Sequence, residues 1–149
     1  MTPIGLMEAL AARLQILLDG YTSEQPTGIM PIKVNAGYFP IPENAREKKS
    51  AIHVLATKET DDKDMSTISL QIGLSIYDDN TVDGWRTMYN VAEHIRQDLL
   101  KHRYVDMRYR LELPLSFEVV EDQPFPQWQG IILATYTVPQ PVEEEFNDF

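Results

Sequence analysis

Apolar residues recur at the three- and four-residue spacing of an amphipathic helix near the start of the chain. Thr2 and Pro3 stand in the N-cap and first helical positions, and Gly20 stands where a left-handed C-terminal cap is expected. The apolar stripe consists of Met7, Leu10, Leu14 and Leu17. The pattern predicts a first helix that ends at Gly20.

A second helical pattern follows a polar turn in the middle of the chain. Asp79, Asn80 or Thr81 is expected to cap this helix, with Asp83 in its first turn. Its apolar seam consists of Trp85, Met88, Ala92, Ile95 and Leu99. The pattern predicts a helix from about Thr81 onward, with Trp85 in the core.

Strict alternation of apolar and small polar residues predicts β-strands. The clearest run is formed by Ile68, Leu70, Ile72, Leu74 and Ile76. A weaker alternation over 52–57 precedes it, and the acidic linker Lys58–Ser66 between the two carries Asp61, Asp62 and Asp64. We therefore expect a long hairpin with an acidic linker.

Three further strands are predicted around proline residues. A short one over 29–34 is confined by Pro31 to an edge or a strand start, and one over 111–119 contains Pro114, which indicates an edge or a bulge. The last, Trp128–Val138, is apolar on both faces in its middle, so it is expected to be central or covered on both sides.

The element order predicts an α+β fold, with two amphipathic helices packed on a mainly antiparallel sheet of about four to five strands. Residues 1–142 are expected to form a single domain. An acidic C-terminal tail, residues 143–149, begins with Glu143, Glu144 and Glu145. The 43% apolar and 24% charged content is typical of a globular protein.

Charge and composition narrow the function classes. The net charge of −10 disfavours general binding to nucleic acid or to anionic membranes. Cysteine is absent, so disulfides, thiolate metal sites and cysteine nucleophiles are excluded. No cation precedes Arg13 and no apolar run has the length of a membrane span, so synthesis in the cytoplasm without membrane insertion is expected.

No residue carries a clear catalytic or metal-binding role, and neither an enzyme nor a cofactor is expected. His53, His94 and His102 do not stand at a zinc-like spacing. The stretch from Asp79 to Asn90 resembles a calcium loop, but it has Asn90 where the bidentate glutamate belongs, and helix capping explains the same residues.

A basic patch interrupts the acidic background. It consists of Arg96, Lys101, Arg103, Arg108 and Arg110, with Tyr104 and Tyr109 between them. The patch is interpreted as a solvated helix end, as a receptor for the acidic tail or acidic linker of a neighbouring subunit, or as a nucleic-acid surface. Trp128, which follows a Pro-Phe-Pro turn, is either a plug at the core edge or an interface anchor.

The second helix over 85–102, the segment 109–113 and the run Glu121–Pro139 together resemble the tail-terminator and tail-completion proteins of long-tailed bacteriophages. The Pro124-Phe125-Pro126-Gln127-Trp128 sequence is the most distinctive part. The resemblance covers roughly the C-terminal half, and residues 21–50 contribute nothing to it.

This resemblance implies a virion protein, assembled in the host cytoplasm, that forms a ring, commonly a hexamer, at the head-proximal end of the tail. Its partners would be its own copies, the tail tube protein and the head connector or neck proteins, with the genome passing through unbound. The alternatives are a small prophage-encoded binding or regulatory module, and a hydrolase that uses Glu121 or Asp122 near His53.

Overall fold

The structure is a computed structural model that describes residues 3–23, 30–39 and 49–144. Within these ranges the chain forms two helices and one six-stranded sheet, which confirms the α+β class. The helices are α1 (Pro3–Ser23) and α2 (Gly84–Lys101). The strands are β1 (Ile32–Ala36), β2 (Ser50–Asp61), β3 (Ser66–Tyr77), β4 (Tyr104–Val105), β5 (Tyr109–Val119) and β6 (Gln127–Val138).

The sheet has the strand order β1-β2-β3-β6-β5-β4. Four neighbouring pairs are antiparallel, while β1 lies parallel to β2. The sheet is therefore mixed but mainly antiparallel, as predicted, while the predicted count of about four to five strands is wrong, because the sheet has six. The two-residue strand β4 escaped prediction because its turn to β5 places Asp106 and Met107 at positive φ, a conformation for which Met gives no sequence signal.

The core lies between the two helices and one face of the sheet. The alternating row of β3 from Ile68 to Ile76 is buried, and the row of Ile132, Ala134 and Tyr136 in β6 faces the same side. The central position predicted for β6 is confirmed, since β6 lies between β3 and β5. Described residues cover only one of its faces, and Leu133 on the other is 37% exposed.

Helix α1 continues past the end that its sequence predicts. It runs through Gly20 to Ser23, so Gly20 is an interior residue and not a cap. The last turn is closed instead by Thr22 Oγ1 and Ser23 Oγ, which donate hydrogen bonds to the carbonyls of Asp19 and Gly20. No helix within the described residues is long and apolar enough to cross a membrane.

Helix α2 begins at Gly84, three residues later than its sequence predicts. Asn80 Oδ1 accepts hydrogen bonds from the backbone N–H groups of Val82 and Asp83, each at 2.9 Å. Asn80 thus stabilises the turn that precedes α2. The predicted N-cap at Asp79, Asn80 or Thr81 is wrong, because the N-cap residue is Asp83, whose side chain makes no capping hydrogen bond. The predicted core position of Trp85 is wrong, because its side chain is 40% exposed on the flank of the seam.

Arg13 holds α1 against the C-terminal end of α2. Its guanidinium forms a 2.9 Å ion pair with the Asp98 carboxylate and donates to the Asp98 carbonyl and, in β4, to the Tyr104 carbonyl. The Asp98 carbonyl also accepts the His102 N–H, so Arg13 is a second donor to it, and a cation at this end of α2 complements the helix dipole.

The outer edge of β1 is closed by a side chain. Gln15 of α1 donates from Nε2 to the Ile32 carbonyl at 2.9 Å, and its Oε1 accepts the Val34 N–H at 2.8 Å. The Gly37 N–H donates to the Val54 carbonyl of β2. Because successive residues of a strand direct their backbone groups to opposite sides, the Val34 N–H points away from β2. Gln15 therefore occupies the backbone groups that another strand would use.

Candidate functional site

The predicted acidic linker forms the tip of a confirmed β2–β3 hairpin, but β2 extends to Asp61 and leaves only residues 62–65 as the turn. Residues 61–64 are called the acidic tip below. Asp61 accepts a hydrogen bond from Ser66 Oγ at 2.6 Å, and Asp62 Oδ1 accepts the Lys63 N–H. All three carboxylates, including Asp64, belong to exposed residues. The tip is folded and keeps its charge at the surface.

The segment after β6 is tied to the acidic tip. Gln140 Nε2 donates to the Asp62 carbonyl at 2.8 Å and approaches Ser66 Oγ at 3.1 Å. Glu143 and Glu144 follow as exposed residues, and Glu145 lies outside the described residues. The C-terminal carboxylates therefore begin beside the acidic tip.

Of the five predicted basic residues, Arg96 and Lys101 lie on α2. The other three lie on the turn into β4 and on the β4–β5 hairpin, residues 103–110, called the basic hairpin below. Arg108 lies 3.7 Å from Asp106, and Arg110 lies 3.2 Å from Glu112 and over the Tyr104 ring. Arg103 Nε donates to the carbonyl of Leu100 at 3.3 Å. Each arginine is thus oriented by a neighbour while its residue stays at least partly exposed.

Glu112 marks the border of the basic hairpin. A hydrogen bond from Thr137 Oγ1 at 2.7 Å, and then the Arg110 guanidinium, hold the pKa of the Glu112 carboxyl below its usual value. Glu112 stays ionised and partly neutralises Arg110. Asp106 likewise offsets part of the charge of Arg108, so the two carboxylates reduce the positive charge of the hairpin without removing it.

The acidic tip and the basic hairpin lie at the same end of the sheet. Ser66 pairs with Val138, and the adjacent Thr137 pairs with Arg110, so two strand spacings, about 10 Å, separate Ser66 at the base of the acidic tip from Arg110. No ion pair joins them within the described residues. One end of the sheet thus carries opposite charges on its two sides.

Trp128 lies at the opposite end of the sheet, away from the other predicted interface residues. Its indole Nε1 donates to the Asp78 carbonyl at 2.9 Å. A Cβ added to Gly84 would lie 2.9 Å from the same nitrogen, so glycine lets the indole cover the start of α2. Trp128 is therefore half-buried as a plug at the core edge, and a role as interface anchor remains a prediction.

An aromatic surface that the sequence did not reveal lies between α2 and β5. Tyr89 makes edge-to-face contacts with Trp85 at 5.6 Å and with Phe117 at 5.4 Å between ring centroids. Trp85, Tyr89 and Val119 line a shallow groove of about 220 Å³ that Trp128 also borders, while Phe117 and Tyr89 line a second pocket. The helical spacing of Trp85 and Tyr89 could have identified one wall, but Phe117 joins them only through the fold. We call it the aromatic groove.

The turn between β5 and β6 fixes one end of the aromatic groove. Gln123 Nε2 donates to the carbonyls of Val120 and Gln129, while Gln123 Oε1 accepts the Gln129 N–H at 2.6 Å. This single side chain bridges the two strands where their ladder ends. It keeps the last residues of β5 in a strand conformation beside the groove.

The structure does not assemble the residues of the hydrolase alternative. The His53 ring lies on Gly73 with Phe39 against its edge, and burial lowers the pKa of His53. Across the sheet His53 is in register with Glu118, three strand spacings or about 14 Å away. Glu121 and Asp122 lie beyond that residue. Within the described ranges no group of three or more histidine and carboxylate side chains could hold a metal ion.

No family model matches the chain, and no curated protein matches it either. One solved structure, of a protein whose name states no function, is 14% identical with a TM-score of 0.50, over 91% of this chain and 97% of that one. A chain from the virion of a native gene transfer agent particle is 16% identical with a TM-score of 0.41, over 93% and 98%. The first likeness shows a shared fold alone, and the second carries no inference about function.

Proposed function

We propose that this protein is a structural virion component that forms a ring at the head-proximal end of a phage tail. There it ends polymerisation of the tail tube, joins the tail to the head connector, or does both. Its partners are its own copies, the tail tube protein and the neck proteins. It acts through shape and association, without a cofactor or catalytic turnover, and the genome passes through without specific binding.

The observation that carries this proposal is the opposite charge on the two sides of one sheet end. The acidic tip stands on the β2–β3 side, and the basic hairpin stands on the β4–β5 side. A contact between two different patches on identical subunits is heterologous, and it closes into a ring when the rotation per subunit divides a full turn. The acidic tip of one copy would face the basic hairpin of the next.

Continuation of the sheet from copy to copy does not provide the ring contact. Gln15 occupies the Ile32 carbonyl and the Val34 N–H on the outer side of β1, which disfavours pairing of β1 with the β5 edge of a neighbour. Side-chain charges and loop surfaces are left to form the contact. This favours a ring whose assembly weakens as salt screens the charges.

Two charge-reversed variants test the ring contact. The first replaces Asp61, Asp62 and Asp64 by lysine, and the second replaces Arg103, Arg108 and Arg110 by glutamate. Each variant alone should stay monomeric, because its two sides carry the same sign. A mixture of the two should assemble again, with the variants alternating. Native mass spectrometry, alone and with purified tail tubes of the phage that encodes the protein, measures the outcome.

A third variant provides the matched control. It reverses Asp79, Glu121 and Asp122, which are exposed at the opposite end of the sheet, and should assemble like the unaltered chain. A mixture of the two reversed variants that stays monomeric would contradict the heterologous contact. An unaltered protein that is strictly monomeric both alone and on tail tubes would contradict the proposed function as a whole.

A further inference from the structure

The outer edge of β5 is open at the end of the sheet away from the acidic tip and the basic hairpin. β4 covers β5 only at Tyr109 and Arg110, with one further bond from Leu111 N–H to the Arg103 carbonyl. Beyond the irregularity between Glu112 and Ser116, no strand of the described residues lies on the outer side of β5. Residues 116–119 are therefore an edge without a neighbour.

The backbone groups at this edge are directed outward. Val120 N–H bonds to the Gln129 carbonyl, and bonding direction alternates along an antiparallel strand. The N–H and C=O groups of Phe117 and Val119 consequently point away from β6. The edge offers about 13 Å of unpaired strand, which suits an added segment of four or five residues. An uncovered edge of this kind readily pairs with another strand. At the opposite edge of the sheet, the Gln15 side chain covers β1.

The two faces of the edge differ in chemistry. On the helix side, a strand added beside Phe117 and Val119 would place every second side chain into the aromatic groove, against Trp85 and Tyr89. Trp85, Tyr89 and Val119 are each about 40% exposed, which is unusual for residues of this size in a strand–helix junction. Apolar side chains would therefore suit the positions of an added strand that face the helix.

The opposite side of the edge is acidic. Glu118 projects there, between Phe117 and Val119 in sequence, while Glu121 lines the end of the aromatic groove and Asp122 follows it. Residues 113–122 contain no cation, and none of these three carboxylates has an ion-pair partner among the described residues. Nearby Arg96 is already paired with Glu93. Basic side chains would therefore suit the positions of an added strand that face solvent beside Glu118.

We infer that the β5 edge binds an extended segment of a partner protein whose apolar and basic residues alternate. The backbone of the segment pairs with Phe117 and Val119, its apolar side chains enter the aromatic groove, and its basic side chains face Glu118. An acidic segment is excluded by the carboxylates, which also disfavours the tail of this chain as the occupant. Affinity comes from the backbone, and selectivity comes from the two-residue alternation.

The probe is a capped octapeptide in which lysine and valine alternate, added to the full ¹⁵N-labelled protein. We expect the amide protons of Phe117 and Val119 to exchange roughly tenfold more slowly at saturation. A peptide with the same composition arranged in pairs, and the alternating peptide with N-methylated valines, should leave both amides unprotected. Binding without protection of these amides, or equal protection by the paired-order peptide, would overturn the inference.

Two substitutions in the protein locate the site. Val119→Pro removes an outward N–H without removing a bond to β6, so it should abolish peptide binding while the fold remains. Glu118→Lys changes only an exposed side chain and should weaken binding about fivefold at low salt. Glu143→Gln, far from β5, should change nothing. Unaltered binding to Val119→Pro and Glu118→Lys would place the peptide elsewhere.

Discussion

The imidazole of His53 covers Gly73 so closely that a Cβ built on Gly73 would lie 2.2 Å from His53 Cε1. The two residues are cross-strand partners on the face of the sheet opposite the helices. A glycine in the middle of β3 is thus explained by the ring that lies on it, and not by a turn.

We therefore expect Gly73→Ala to lower the free energy of unfolding by about 1–3 kcal/mol, because the methyl group and the ring cannot share the space. Urea unfolding measures the loss. In a His53→Ala background the same substitution should cost much less, since the ring is gone. Equal costs in the two backgrounds would show that His53 does not impose the glycine.

The burial of His53 makes stability depend on pH. Burial lowers its pKa below the ordinary value of 6.5, so below about pH 6.5 the unfolded chain binds more protons at this residue than the folded chain. The free energy of unfolding should consequently fall as the pH drops from 7 toward 5, and this contribution should be absent above pH 7. His53→Gln should flatten the slope, while His102→Gln, at an exposed residue, should retain it.

The long periodic elements were predictable because each is buried on one side only. The three-four spacing in α2 and the two-residue alternation in β3 follow directly from one-sided burial, and Pro114 marks a real irregularity of β5. The predicted end of α1 at Gly20 is wrong, because a glycine can lie inside a helix. The carbonyls near the end of α1 accept hydrogen bonds from the Thr22 and Ser23 hydroxyls.

The surfaces were less predictable because they depend on nonlocal pairing. The acidic tip and the basic hairpin come to one end only because β6 inserts between β3 and β5. The exposure of Trp85 and its link through Tyr89 to Phe117 likewise depend on how β5 packs beside α2. Residue spacing within one element contains no information on such contacts.

Arg13 should be one of the largest single contributors to stability among the charged residues. Arg13→Met removes the partner of Asp98, whose side chain is only 14% exposed, and frees the Tyr104 carbonyl. We expect a loss of about 3 kcal/mol in urea unfolding, because a carboxylate is left desolvated without a cation. Arg96→Met, which breaks the exposed pair with Glu93, should cost less than about 1 kcal/mol.

Gln15→Met should destabilise the protein and open the β1 edge, since it keeps the apolar stem but leaves the Ile32 carbonyl and the Val34 N–H unpaired. The expected loss is about 1–2 kcal/mol. Self-association at high concentration should rise, as sedimentation velocity can measure. Gln97→Met, which removes only an exposed bond to Glu93, is the control. Equal self-association of the two variants would contradict edge protection by Gln15.

The bond from Gln140 to the Asp62 carbonyl acts as an anchor point for the chain that follows. Glu143, Glu144 and Glu145 come three to five residues later, so they cannot move more than about 20 Å from that anchor, however the chain runs. Their charge is thereby tethered to one corner of the molecule. This confinement raises the local concentration of carboxylate groups beside the acidic tip, and it adds no carboxylate to the surface further away.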